Sequence, residues 1–120
     1  MLVEKKISFD CAHFLPGYDG PCASMHGHHF SVSLAIEGPV HHKSGMVVDF
    51  SKLKSWLNTH VVDEFDHTLL NDKIENPTAE NLALYIQEEL DKTKPDMPTG
   101  VRLAYIRVWE TEDSMVELKL

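Results

Sequence analysis

Apolar and polar residues alternate in two stretches near the start of the chain and two near its end, and apolar residues recur at helical spacing between them. Leu2-Val3-Glu4-Lys5-Lys6-Ile7-Ser8-Phe9 predicts a strand with imperfect alternation. From His28 to Glu37, the residues Phe30, Val32, Leu34 and Ile36 share one face, predicting a second strand that Gly38-Pro39 stops. Asp49 or Ser51 can cap a helix carrying Phe50, Leu53, Leu57 and Val61, which should end near Val62. A second helix follows Asn76-Pro77-Thr78, with Thr78 or Asn76 as its cap, and runs through Leu82, Tyr85, Ile86 and Leu90 to about Lys92. Val101 to Glu110 alternates again, and Ser114 to Leu120 returns after the acidic turn Thr111-Glu112-Asp113.

The predicted order is ββααββ. Strands and helices in blocks point to an α+β architecture, a four-stranded antiparallel sheet with both helices on one face. The length of 120 residues suits one domain, residues 1–120. A four-stranded sheet has two edges, and closing it through a symmetric oligomer would remove them.

Composition narrows the function classes. The chain is 42% hydrophobic and 25% charged, ordinary values for a globular protein. Its formal charge of −8, from 11 basic and 19 acidic residues, argues against nucleic-acid binding and against an anionic membrane surface. No run of apolar residues is long enough to span a bilayer, and Met1 to Phe9 lacks the apolar block of a signal peptide. The expected location is therefore cytoplasmic, where Cys11 and Cys22 stay as free thiols.

Eight histidines are many for a small acidic chain, and imidazole is the commonest metal ligand. His26-Gly27-His28 stands at the entrance to the second strand, where residues two apart project to one face. His13, at the end of the first strand region, reaches the same point if the two strands pair. Three imidazoles with an open fourth position form a catalytic zinc arrangement; an incidental His-x-His is the other reading. His29 points to the opposite face, and His41, His42 and His60 read as solvated surface. Cys22, four residues before His26, is either a thiol activated by a nearby cation or a small buried hydrophobe; for Cys11 the second reading is preferred. Asp66-His67 is either a carboxylate orienting an imidazole or an exposed loop pair. Glu110, after Trp109, is either a strand-end surface charge or a planar acceptor for two parallel N–H donors.

Several segments together carry a resemblance. Cys22-Ala23-Ser24-Met25-His26-Gly27-His28 has the Cys-x-x-x-His-Gly-His form of the 6-pyruvoyl-tetrahydropterin synthase family. Phe9-Asp10-Cys11-Ala12-His13, Met46 to Phe50, Phe65 to Asn71, Pro77 to Asn81 and Trp109-Glu110-Thr111 resemble its other motifs, in the same order along nearly the whole chain. The compact length is most similar to the branch that makes 6-carboxy-5,6,7,8-tetrahydropterin for 7-deazapurine and queuosine synthesis.

The resemblance implies the tunnelling fold, in which subunits join their sheets into a barrel as a homo-oligomer, trimer or hexamer, with active sites at subunit interfaces. It implies that His13, His26 and His28 hold Zn2+, that Cys22 accepts a proton, and that Asp66 and His67 relay protons, supplied by a neighbouring subunit. Glu110 would hold the pterin ring and join the relay, with Thr78 and Glu80 as further pterin contacts. The implied reaction is conversion of 7,8-dihydroneopterin triphosphate to 6-carboxy-5,6,7,8-tetrahydropterin with release of acetaldehyde and triphosphate. The alternatives are the pyruvoyl-forming reaction, without side-chain loss, and a non-catalytic zinc- or pterin-binding protein. Ala23 and Ser24 replace basic residues of some relatives, leaving Lys43, Lys52, Lys54 or Arg107 for the triphosphate.

Overall fold

A computed structural model describes residues 1–120. Four strands, β1 (Leu2–His13), β2 (His26–Glu37), β3 (Arg102–Thr111) and β4 (Ser114–Lys119), form one antiparallel sheet in the order β1-β2-β3-β4. Between β2 and β3 lie the helices α1 (Phe50–Leu57) and α2 (Ala79–Thr93), so the order ββααββ is observed. Asp49 caps α1 by accepting from Ser51 N, and Thr78 caps α2 by accepting from Asn81 N.

One face of the sheet meets the helices. Phe9, Phe30, Val32, Leu34, Ile36, Ile106 and Val108 pack there against Leu53, Leu57, Val61, Phe65, Leu82, Ile86 and Leu90, all essentially inaccessible to water. Apolar burial on this scale is the main favourable contribution to the fold. The opposite face mixes charged residues with Tyr105 and Trp109, over which Arg107 and Lys6 lie. Arg107 spans Glu4 at 3.3 Å and Glu117 at 2.9 Å, and Ser33, fully buried beneath them, donates to Glu4.

The structure departs from the sequence pattern at three places, the first being that β2 begins at His26 rather than His28. β1 continues past Phe9 to His13, pairing with β2 until His13 faces His26. The apolar signal fades because the buried positions beyond Phe9 are Cys11 and His13 rather than aliphatic residues. The first helix does not end near Val62. It passes through a π-helical turn (Asn58–Val62) into a last α-helical turn (Asp63–Phe65). Leu53, Leu57, Val61 and Phe65 are all fully buried at a constant spacing of four. An α-helix of 3.6 residues per turn would rotate that row off the core, and one wider turn absorbs the excess.

Candidate metal centre and surrounding groups

The register His13↔His26 and the period of two along β2 bring three imidazoles to the helix-facing side of one sheet end. One ring nitrogen each from His13, His26 and His28 lies within 4.8 Å of the other two. His13 is fully buried, and the other two are half-buried. Two of the rings are locked from behind. His13 Nδ1 donates to Pro77 O at 2.8 Å, and His26 Nδ1 donates to Ser24 O at 2.7 Å. A carbonyl only accepts, so each Nδ1 carries the proton and each Nε2 presents a lone pair.

Those two Nε2 atoms stand 3.0 Å apart. Facing lone pairs repel unless a cation lies between them. His28 Nε2 is buried without a hydrogen-bond partner; Glu110 Oε1 is 3.3 Å away but outside hydrogen-bonding geometry. A partnerless buried nitrogen costs stability, and a metal ion would satisfy it. Burial holds the His28 pKa below its ordinary value, opposed by Glu110 and helped by the other two imidazoles, which keeps the ring neutral and able to ligate. The donor set fits a divalent ion that accepts three nitrogens and leaves a position open.

Glu110 sits where the β3–β4 pairing shifts register between Trp109 and Thr111. Such an irregularity frees one residue from the ladder, and here its carboxylate reaches the imidazole trio. Asp66 and His67 form a pair: His67 Nδ1 lies 2.9 Å from Asp66 Oδ2. Asp10 frames them, its N–H donating to Asp66 Oδ1 at 3.0 Å and its carbonyl accepting from His67 N at 2.6 Å. His67 has a φ of 57°, in the left-handed region, so these backbone bonds hold an unfavourable conformation. The Asp10 amide first, and His67 second, lower the Asp66 pKa. His67 is 80% exposed and faces outward within the single chain.

Cys22 lies in a 3-10 turn (Pro21–Ala23), half-buried, and its sulfur is not among the converging ligand atoms. Cys11 is buried, which first pushes its thiol pKa up to about 12, with Asp10 and Asp66 adding to the rise. It is the inert buried hydrophobe expected. Thr78 spends its hydroxyl oxygen on the α2 cap. Glu80 is exposed in the first turn of α2, where it complements the helix dipole, and no hydrogen bond joins it to the trio. His29 stands on the other face and pairs with Asp10 at 2.8 Å. His60 is not free surface: it stacks on Trp56 at 4.9 Å and lies 3.7 Å from Glu89. Lys52 is paired with Asp96 and Arg107 with Glu4 and Glu117, so neither is a free cation for phosphate.

Sequence reasoning missed the framing groups: the carbonyls of Pro77 and Ser24, the backbone of Asp10, and the Asn71 side chain. Backbone carbonyls and N–H groups carry no residue signature, and Asn71, though within a recognised motif, shows its partner only in the packed chain.

A ββααββ sheet with a three-imidazole centre at one end defines a protein of the tunnelling-fold class with a candidate metal site. The match extends to the family. The family model described as 6-pyruvoyl tetrahydropterin synthase matches residues 2–119, and the chain belongs to this family of pterin synthases. A protein of Archaeoglobus fulgidus, provisionally named 6-carboxy-5,6,7,8-tetrahydropterin synthase, is 42% identical over 119 residues, 99% of this chain and 96% of its own. The dihydroneopterin monophosphate aldolase of Pyrococcus furiosus is 40% identical over 114 residues, 95% of this chain and 93% of its own. Among solved structures, the 6-pyruvoyl tetrahydropterin synthase of Caenorhabditis elegans superposes with a TM-score of 0.82 at 28% identity, covering 100% of this chain and 95% of its own. No helix is long and apolar enough to cross a membrane.

Proposed function

We propose that this chain is a zinc-dependent lyase that converts 7,8-dihydroneopterin triphosphate to 6-carboxy-5,6,7,8-tetrahydropterin, releasing acetaldehyde and triphosphate. The observation that carries the reading is the convergence of His13, His26 and His28 with two tautomers fixed and one buried nitrogen unpartnered. The name of the Archaeoglobus relative supports the carboxy product.

Zinc held by the trio would act as a Lewis acid on the substrate's side-chain oxygens and acidify the adjacent C–H bonds. The remaining roles belong to the chain. Cys22 takes a proton from the side chain as thiolate. Asp66 fixes the ring of His67, which carries protons to and from the reacting carbons. Glu110 accepts two parallel N–H bonds from the amino-pyrimidine edge, which orients the ring beside the trio. Thr78 and Glu80 are further pterin contacts.

The outward-facing His67, 80% exposed in the single chain, supports a site completed between subunits. The two sheet edges, on β1 and β4, suit closure into a trimeric or hexameric barrel. A cytoplasmic place in 7-deazapurine synthesis follows from the product. The Pyrococcus relative, named a dihydroneopterin monophosphate aldolase, favours a second reading, aldol cleavage of the side chain of a phosphorylated dihydroneopterin.

Incubation of the zinc-loaded protein with 7,8-dihydroneopterin triphosphate, followed by mass analysis of both fragments, separates the readings. The carboxy product with acetaldehyde supports the proposal. A pyruvoyl product with no aldehyde identifies the pyruvoyl-forming activity. A parallel incubation with 7,8-dihydroneopterin monophosphate tests the aldolase, identified by a hydroxymethyl dihydropterin with a phosphorylated two-carbon aldehyde, and no turnover of either substrate identifies a binding protein.

A further inference from the structure

The segment from Phe14 to Met25 carries Cys22 yet has little apolar anchorage. Tyr18 and Met25 are exposed, and Gly17, at φ 74°, turns the chain in the left-handed region. One side chain ties down its entry. Asn71 Oδ1 accepts from Phe14 N at 3.0 Å, and Asn71 Nδ2 donates to Phe14 O at 2.9 Å. A strand neighbour would satisfy Phe14 with the same two bonds, and here one amide side chain supplies both. The next residue folds the loop back, with Leu15 N donating to Cys22 O at 2.9 Å. The bonded path therefore runs Asn71, Phe14, Leu15, Cys22.

The same segment holds the other proton-transfer groups. Asp66 and His67 bond to Asp10, and Ala12 N donates to Thr68 O at 2.9 Å. Residues 66–71 thus lie along the end of β1, with a parallel bridge between Ala12 and Leu69, and Asn71 makes the last rung. His13 precedes Phe14, but its ring is held independently by Pro77 O and by pairing across β2. Loss of Asn71 should therefore move Cys22 more than the three ligands.

We infer that Asn71 is a positioning residue, a clamp that sets the Cys22 thiol relative to the imidazole trio of its own chain. The inference rests on the reading of Cys22 as proton acceptor. Aspartate at this position keeps the acceptor for Phe14 N but loses the donor and sets a charge against the Phe14 carbonyl. Alanine removes both bonds.

The test uses full-length, zinc-loaded Asn71→Ala and Asn71→Asp. Iodoacetamide alkylation of Cys22 reports the loop directly, with the buried Cys11 as an unreactive internal standard. In Asn71→Ala, alkylation should quicken by about fivefold and kcat fall by about tenfold or more, with KM within about twofold and zinc per chain unchanged. Asn71→Asp should lie between it and the parent. A merely structural residue would lower thermal stability without changing Cys22 reactivity in the folded protein. An alkylation rate equal to the parent's in the folded, zinc-loaded variant overturns the inference, as does a loss of kcat that only tracks loss of zinc. If Asn71→Ala does not fold, Asn71→Asp is judged by the same two criteria. Cys22→Ala keeps the two questions apart: parental turnover there removes the base assignment, while the alkylation comparison still decides the clamp.

Discussion

Replacing His28 with alanine should change the stability of the metal-free protein little and that of the metal-loaded protein much more. His28 is 21% exposed, yet its Nε2 is buried and unpartnered. Removing an unsatisfied buried polar atom recovers about 1–3 kcal/mol. The same change forfeits edge contacts with His26 at 4.7 Å, His13 at 5.1 Å and Phe30 at 5.7 Å, each worth about 0.5–1.5 kcal/mol. The two effects largely offset each other, leaving a net loss of about 1 kcal/mol. In chelator, His28→Ala should therefore melt within roughly 5 °C of the parent, about 1 kcal/mol for a chain this size. With free zinc at about one hundred times its dissociation constant, the parent gains about 2.7 kcal/mol, or roughly 10 °C. The variant should lose most of that gain. Thermal melts with chelator and with zinc, plus metal analysis of the dialysed protein, give all four values. The reasoning is refuted if zinc leaves the parent's melting temperature unchanged. It is equally refuted if the chelated variant falls as far below the parent as the loaded one does.

Other outcomes test separate parts of the site. Cys22→Ala should lower turnover of dihydroneopterin triphosphate by about 10²-fold or more while zinc per chain, measured by emission spectrometry, stays the same. Asp66 has a folded-state pKa below the ordinary 3.8, so its stabilising contribution is present above pH 3.8 and lost as pH falls through the folded value. Denaturation midpoints of the parent and Asp66→Asn should accordingly converge below pH 3.8, and a gap independent of pH would sink this account. Thr78→Ala removes the α2 cap and should cost about 1 kcal/mol in urea unfolding, with metal content retained.

The elements were legible wherever one periodicity governed a whole segment. β2 alternates in aliphatic and aromatic residues, and α2 has Thr78 as cap and a regular apolar stripe. Past Phe9 the alternation of β1 weakens because its inward positions, Cys11 and His13, do not read as hydrophobic core. The last turn of the first helix was hidden because a spacing of four keeps a straight row only when one turn widens. At the site, the spacing of His26 and His28 made a shared face predictable, and His13 joined them on the condition that β1 and β2 pair. His60 misled: its helix-end position suggested surface, and only packing placed it against Trp56 and Glu89.

The chain's own residue order settled which donors exist and which of them share a strand face, because side-chain direction along a strand has a period of two. It also settled the ββααββ order, through local periodicity and capping. What the packed structure alone decided is how those donors are aimed. Carbonyls of Pro77 and Ser24 choose the ring tautomers, the backbone of Asp10 holds Asp66 and His67 in place, and Asn71 fastens the loop of Cys22. Backbone groups are the same at every residue, so their partners depend on distant segments meeting in space, which no local pattern encodes.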